Sequence, residues 1–265
     1  MGEANHSTHP DVIGIVPQIL LALPFAIVLI LYILAVIRSN QRYKQWPMYR
    51  ITCWILGAIF AILAVAGPVA SLGHMNFTAH MVGHLLVGML ALLLMALAAP
   101  VTLMLRTLPT ATARKVSKVL QSLPSRFVTN PIVASILNIG GLWFLYTTNL
   151  YSLMHESIWV HLIVHFHVFI AGYLFTISII YIDPRPHRFS FWYRSVVFII
   201  ALAGPGILTK YIYAYPPLGV PKEQAESGAM LMYYGGDAID IILIFILCFQ
   251  WFRATRPRLS LAERT

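Results

Sequence analysis

Seven runs of apolar residues divide the chain, near 13–37, 51–72, 79–105, 131–150, 157–182, 190–214 and 228–252. Each is long enough to cross a bilayer, which takes roughly 20 helical residues. None alternates apolar and polar residues at the two-residue period of a membrane barrel strand, so the pattern predicts helices. No internal repeat or second domain shows. The expected architecture is all-α: one membrane domain over residues 1–265, polytopic, a bundle of seven transmembrane helices. Gly67-Pro68 and Gly204-Pro205-Gly206 each remove a helical hydrogen bond and predict a kink. Such kinks either bend a span in the ordinary way or open the outer half of the bundle around a site.

Composition agrees with the pattern. The chain has 265 residues, of which 59% are apolar and 10% charged, with a mean hydropathy of +0.77. Soluble domains carry about 25% charged residues. The first ten residues hold no lysine or arginine, so the basic start of a cleavable signal is absent and the first run is expected to stay. Cys53 and Cys248 are too few and too far apart for a disulfide framework or a metal-binding CxxC pair, and read as packing residues.

A net charge of +9 raises the question of nucleic acid, and its distribution answers it. Arg38, Arg42, Lys44 and Arg50 follow the first run. Arg106, Arg114, Lys115, Lys118 and Arg126 follow the third, Arg185, Arg188 and Arg194 the fifth, and Arg253, Arg256, Arg258 and Arg264 the last. Only Lys210 and Lys222 of the 18 basic residues fall elsewhere. The excess belongs to one side of a membrane, which places the N-terminus outside and the C-terminus in the cytoplasm, and needs an odd number of crossings. No nucleic-acid partner is expected. Tyr43, Trp46, Tyr49, Trp192, Tyr193 and Trp251 at inner ends, and Tyr151, Trp159, Tyr213 and Tyr215 at outer ends, read as interfacial anchors. Ala113, Val116, Leu120 and Leu123 recur at helical spacing opposite Arg114, Lys115 and Lys118, the pattern of a short helix lying on anionic lipid.

Given that orientation, only His187 of the ten histidines falls on the cytoplasmic side. His6 and His9 sit on the external tail. His74, His80 and His84 surround the start of the third run, and His155, His161, His165 and His167 the start of the fifth. His80 and His84 are four apart, as are His161 and His165, so each pair stacks on one helix face. His167 points about 240° around the axis from His161 and ranks below the pair, as does His155. Two pairs at matching depth supply four imidazoles for a metal, or two from each helix with the others supporting them. Met75 and Met81 add thioethers. Imidazole with thioether suits copper, whereas zinc rarely uses methionine. Methionine is also a common core filler, so the histidines carry the expectation and His74, Met75 and Met81 stand behind them. Asp237 and Asp240 share a face of the seventh helix. Carboxylates at that depth cost about 2.5–3.5 kcal/mol each and are expected to face the bundle interior. Metal ligand (Asp237 first), partner to a histidine, part of a proton or cation path, or a simple interhelical hydrogen bond are the roles open to them.

His80-Met81-Val82-Gly83-His84-Leu85-Leu86, followed by Ala98-Ala99-Pro100-Val101-Thr102-Leu103 and Leu105-Arg106-Thr107-Leu108-Pro109, resembles the signature of the CtaG-type cytochrome c oxidase assembly factors, the group associated with caa-type oxidases. The similarity continues through Asn130-Pro131, Trp143, His161 to His167 and Tyr215-Pro216. At Glu223-Gln224 it departs slightly, since the family often has Asp-Gln there. The resemblance implies a seven-helix protein of the bacterial cytoplasmic membrane that is not itself an oxidase subunit or an enzyme. It implies a copper metallochaperone, with His80, His84, His161 and His165 handling copper for oxidase subunits that carry copper centres, and a homo-oligomer is compatible with it. Two other classes stay open. A haem b cytochrome would use a histidine from the third and one from the fifth helix as axial ligands. A metal-cation transporter would use Asp237 and Asp240, though no inverted repeat supports it. A rhodopsin is excluded, because the seventh helix has no lysine for a Schiff base.

Overall fold

A computed structural model describes residues 15–185 and 187–256. The histidines of the tail, His6 and His9, and the basic residues Arg258 and Arg264 lie outside the described residues. Within them the chain is helical, with no strand: α1 (Ile15–Arg42), α2 (Met48–Val65), α3 (Pro68–Met75), α4 (Phe77–Leu85), a π-helical turn (Leu86–Leu90), α5 (Ala91–Leu97), α6 (Pro100–Thr107), α7 (Thr110–Leu120), α8 (Leu123–Val128), α9 (Pro131–Thr147), α10 (Leu150–Glu156), α11 (Ile158–Ile179), α12 (Phe191–Ala214) and α13 (Lys222–Thr255). Six helices are long and apolar enough to cross a membrane, and seven do if the bent pair α9–α10 counts as one span. The chain is thus a multi-pass helical membrane bundle.

The second apolar run breaks where Gly67-Pro68 stands. Gly67 adopts φ +83°, open to glycine, and Pro68 starts α3. Gln18 of α1 holds the break, its Oε1 accepting from Gly67 N at 3.0 Å. The second expected kink differs: α12 runs unbroken through Pro205. At Gly204 the helix meets α9 closely, since a Cβ there would lie 2.5 Å from Ile139 Cγ2.

The third run, expected as one helix over 79–105, is broken once, between the continuous stretch from α4 to α5 and α6. After Leu97 the chain turns through Ala99, held left-handed at φ 53°, and Pro100 restarts it as α6. Asp183 fixes this turn. Its carboxylate accepts from Val101 N at 3.1 Å, Thr102 N at 2.7 Å and Thr102 Oγ1 at 2.5 Å, satisfying the free N–H groups of the new helix. Tyr32 locks the other side by donating to Ala98 O at 2.9 Å. Trp46 in turn donates to Tyr32 Oη at 3.0 Å and is only 4% exposed, so it is a core residue and not the interfacial anchor its position suggested. Asp183→Asn keeps the shape but weakens charge-assisted hydrogen bonds. It should lower stability by about 1 kcal/mol, read as a fall in the thermal midpoint of the purified protein, and an unchanged midpoint would mean that the cap contributes nothing.

A glycine stripe on α13 seats α4. A Cβ at Gly228 would lie 2.9 Å from Phe77 Cδ1 and 3.2 Å from Met81 Cγ, and one at Gly235 would lie 2.6 Å from Leu85 Cδ1. Phe77, Met81 and Leu85 form one i, i+4 ridge, so small residues opposite let the backbones approach. Gln224 secures the top of the pair, accepting from Phe77 N at 2.9 Å, while the hydroxyls of Thr78 and Ser227 meet at 2.8 Å. With this ridge committed to α13, the faces of α4 carrying His80 and His84 turn elsewhere.

α7 carries Ala113, Val116 and Leu120 as expected, with no buried residue, but Leu123 falls on the separate helix α8. The basic segments after α1, after α6 and between α11 and α12 lie at the end of the bundle opposite the histidine-bearing ends of α3, α4 and α11.

Candidate metal centre

Four helices bring six imidazoles to one cavity. α3 supplies His74, α4 His80 and His84, α10 His155, and α11 His161 and His165, around a space of about 420 Å3 closed by Gln18 of α1 and Ala64 of α2. Among the described residues no carboxylate and no thiol lines it.

Local sequence explains each placement. Asn76 caps α4 by accepting from Thr78 N at 2.8 Å and Ala79 N at 3.2 Å, which starts the helix where His80 and His84 share its next two turns. Gly73 lets α3 fold against that start: a Cβ there would lie 3.3 Å from His80 Cα. α10 bends from α9 by 77° after Thr147-Thr148-Asn149, and this turn carries His155 back over the bundle end. Thr148 stabilises the turn, its Oγ1 donating to Phe144 O at 2.6 Å and accepting from Leu150 N at 3.2 Å.

The rings meet in pairs. Centroids lie 5.2 Å apart for His74 and His161, 5.8 Å for His74 and His155, and 4.2 Å for His161 and His165. Two imidazoles on one tetrahedral ion have centroids roughly 5 Å apart, from metal–nitrogen distances near 2.0–2.1 Å. Two rings are also oriented by the backbone. His155 donates from Nδ1 to Tyr151 O at 2.8 Å, and His165 from Nδ1 to His161 O at 3.0 Å. A carbonyl only accepts, so the neutral rings keep a lone pair on Nε2, as metal-bound histidines do. Tyr146, buried in the core beside the cavity, has its hydroxyl 3.2 Å from His80 Nε2. Tyr151, which its position marked as an outer anchor, is buried with its ring edge-on to His80 at 5.2 Å. Among the described residues no three His, Cys, Asp or Glu side chains converge tightly enough to enclose one ion. The rings instead share a space and approach one another two at a time.

Measured against the sequence, His80, His84, His161 and His165 do reach one cavity, and His74 joins them. His155, ranked below them, belongs to the wall because α10 turns back. His167 points away and donates from Nε2 to Leu137 O at 3.2 Å. The methionines do not join: Met75 is 81% exposed, and Met81 is fully buried in the α4–α13 contact. Asp237 is exposed and Asp240 half-buried, both on the wall of a second, smaller cavity beyond His84. Both carboxylates border that cavity, as the expectation of an inward face required, though Asp237 remains exposed there. Thr147-Thr148-Asn149 was the local signal for the turn that recruits His155. Nothing local marked Tyr146.

A family model described as cytochrome c oxidase caa3 assembly factor matches residues 30–254. An uncharacterized protein of Mycobacterium leprae (strain TN) is 29% identical over 243 residues, 84% of this chain and 37% of the relative. Uncharacterized proteins of Mycobacterium bovis (strain ATCC BAA-935 / AF2122/97) and Mycobacterium tuberculosis (strain CDC 1551 / Oshkosh) are each 31% identical over 156 residues, 56% of this chain and 24% of the relative. The chain therefore spans well under half the length of these curated relatives. No solved structure matches it.

Proposed function

We propose that this chain, which belongs to the cytochrome c oxidase caa3 assembly factor family, binds copper in its histidine cavity at the outer face of the bacterial cytoplasmic membrane and passes it to copper centres of the oxidase. The observation that carries this reading is the convergence of His74, His80, His84, His155, His161 and His165 from four helices on one space of about 420 Å3. Six imidazole donors, with no carboxylate among the described lining residues, disfavour calcium and magnesium, which take oxygen ligands, and favour a late first-row ion. Rings that meet in pairs suit Cu(I), which is stable with few ligands and so leaves room for an acceptor's ligand to join before the first is released. Such a carrier needs no catalytic residue. The basic segments at the opposite end of the bundle support the outward placement of the cavity by the positive-inside rule.

The test joins metal and assembly. The full chain, purified in detergent and reconstituted with Cu(I), should retain copper through desalting, and cells relying on a His80→Ala, His84→Ala variant should assemble oxidase depleted in copper. Retained copper and a normally metallated oxidase in that variant would refute the reading.

A further inference from the structure

We propose that the cavity beyond His84 is a second cation station, which takes the ion from the histidine cavity past the His84 ring and holds it with Asp237, Asp240 and Met89. This rests on the copper reading of the outer cavity. The inner space is about 60 Å3. A cavity needs only about 10–15 Å3 of such space to hold a water, so the inner one has room for a small hydrated ion. It differs from the outer cavity in its carboxylates, Asp237 and Asp240, whereas thioethers line both, Met89 and Met232 here and Met154 there.

His84 and Val168 line both cavities and form the partition between them. His84 is 8% exposed and makes no hydrogen bond among the described residues, so a buried imidazole stands unpartnered between the two spaces. Thr176, 5% exposed on the inner wall, likewise has no side-chain partner among the described residues. Neither polar group is sealed off from the cavities, so an ion entering the inner space can reach both. The π-helical turn Leu86–Leu90 begins two residues after His84 and presents Gly88 and Met89 to the inner cavity. Such single π turns in helices recur at functional sites. Gly88 keeps the partition thin, since a Cβ there would lie 3.3 Å from Val168 Cγ1 and 3.5 Å from His84 Nε2. Charge gives the direction. An ion among six neutral imidazoles has no counter-charge, whereas the inner wall offers two carboxylates that are otherwise expensive within the membrane.

Cu(I) titration of the full purified chain against a chromophoric chelator tests this. The wild-type chain should bind about two ions, and D237N/D240N about one, with Asp240→Glu alone keeping about two. Gly88→Val, which removes no donor but fills the gap beside His84, should also bind about one. A wild-type chain that binds about one ion, with D237N/D240N unchanged, overturns the inner station and leaves the outer reading standing. Two ions retained in D237N/D240N overturn it equally. A wild-type chain that binds none overturns both.

Discussion

Replacing His161 by alanine should weaken Cu(I) binding by about a hundredfold or more, with His155→Ala close behind and His167→Ala without effect. His161 meets two other imidazoles of the cavity, stacked against His74 at 5.2 Å and tilted against His165 at 4.2 Å. Structural four-ligand zinc sites are worth about 10–16 kcal/mol, so one donor in four accounts for roughly 2.5–4 kcal/mol. At 1.4 kcal/mol per decade that is about a hundredfold to a thousandfold. His155 tests the structure more sharply. Spacing set it below the two i, i+4 pairs, yet its Nδ1 is tied to Tyr151 O and its ring lies 5.8 Å from His74. His167 is the control: it lies on α11 two residues from His165 but bonds to Leu137 of α9. Chelator competition on the three purified variants decides the matter. Equal affinities for His161→Ala and His167→Ala would remove the cavity from consideration as the copper site.

The apolar runs made the bundle legible because a bilayer demands unbroken lengths of apolar helix, and those lengths survive in the sequence. What they could not reveal were interruptions made by tertiary contacts. Ala99 in a left-handed conformation has no sequence signature, for alanine disfavours it. Asp183, some 80 residues away, holds the turn by capping α6. Long-range pairing of that kind is invisible to periodicity. The site was legible to the same degree. An i, i+4 spacing places two side chains on one face, so the pairs His80–His84 and His161–His165 were readable, while the partner each face meets was not. Met81 shows the difference. It sits beside His80 in sequence and looks like a donor, but the ridge Phe77–Met81–Leu85 fits the glycines of α13 and turns the sulfur into the core. Gly228 and Gly235 were the readable trace of that contact, and they outweigh the appeal of a soft ligand. Asp237 and Asp240 share a helix face, but one is exposed and the other half-buried, because a carboxylate stripe is wider than the cavity it borders.

Gly172→Ala should cost about 3 kcal/mol of stability, at the upper end for overpacking, and Gly172→Leu should yield no folded protein. Gly172 is the point where α11, the helix of His161 and His165, meets the π-helical turn below His84. A Cβ there would lie 2.8 Å from Gly88 O and 2.5 Å from Leu92 Cδ1. The leucine tip can rotate, but the carbonyl belongs to the backbone, so α11 itself must move away. That displacement separates His161 and His165 from His80 and His84, and copper affinity should fall together with the thermal midpoint in Gly172→Ala. Gly140 supplies the comparison, since nothing lies within 4 Å of a Cβ there and alanine is the better helix former. Gly140→Ala should leave both readouts at or above the wild-type value. Thermal unfolding in detergent and chelator competition on the same samples separate the cases. A Gly172→Ala chain with wild-type midpoint and affinity would show that α11 and the π-helical turn are not in backbone contact, and the floor of the histidine cavity would then need another support.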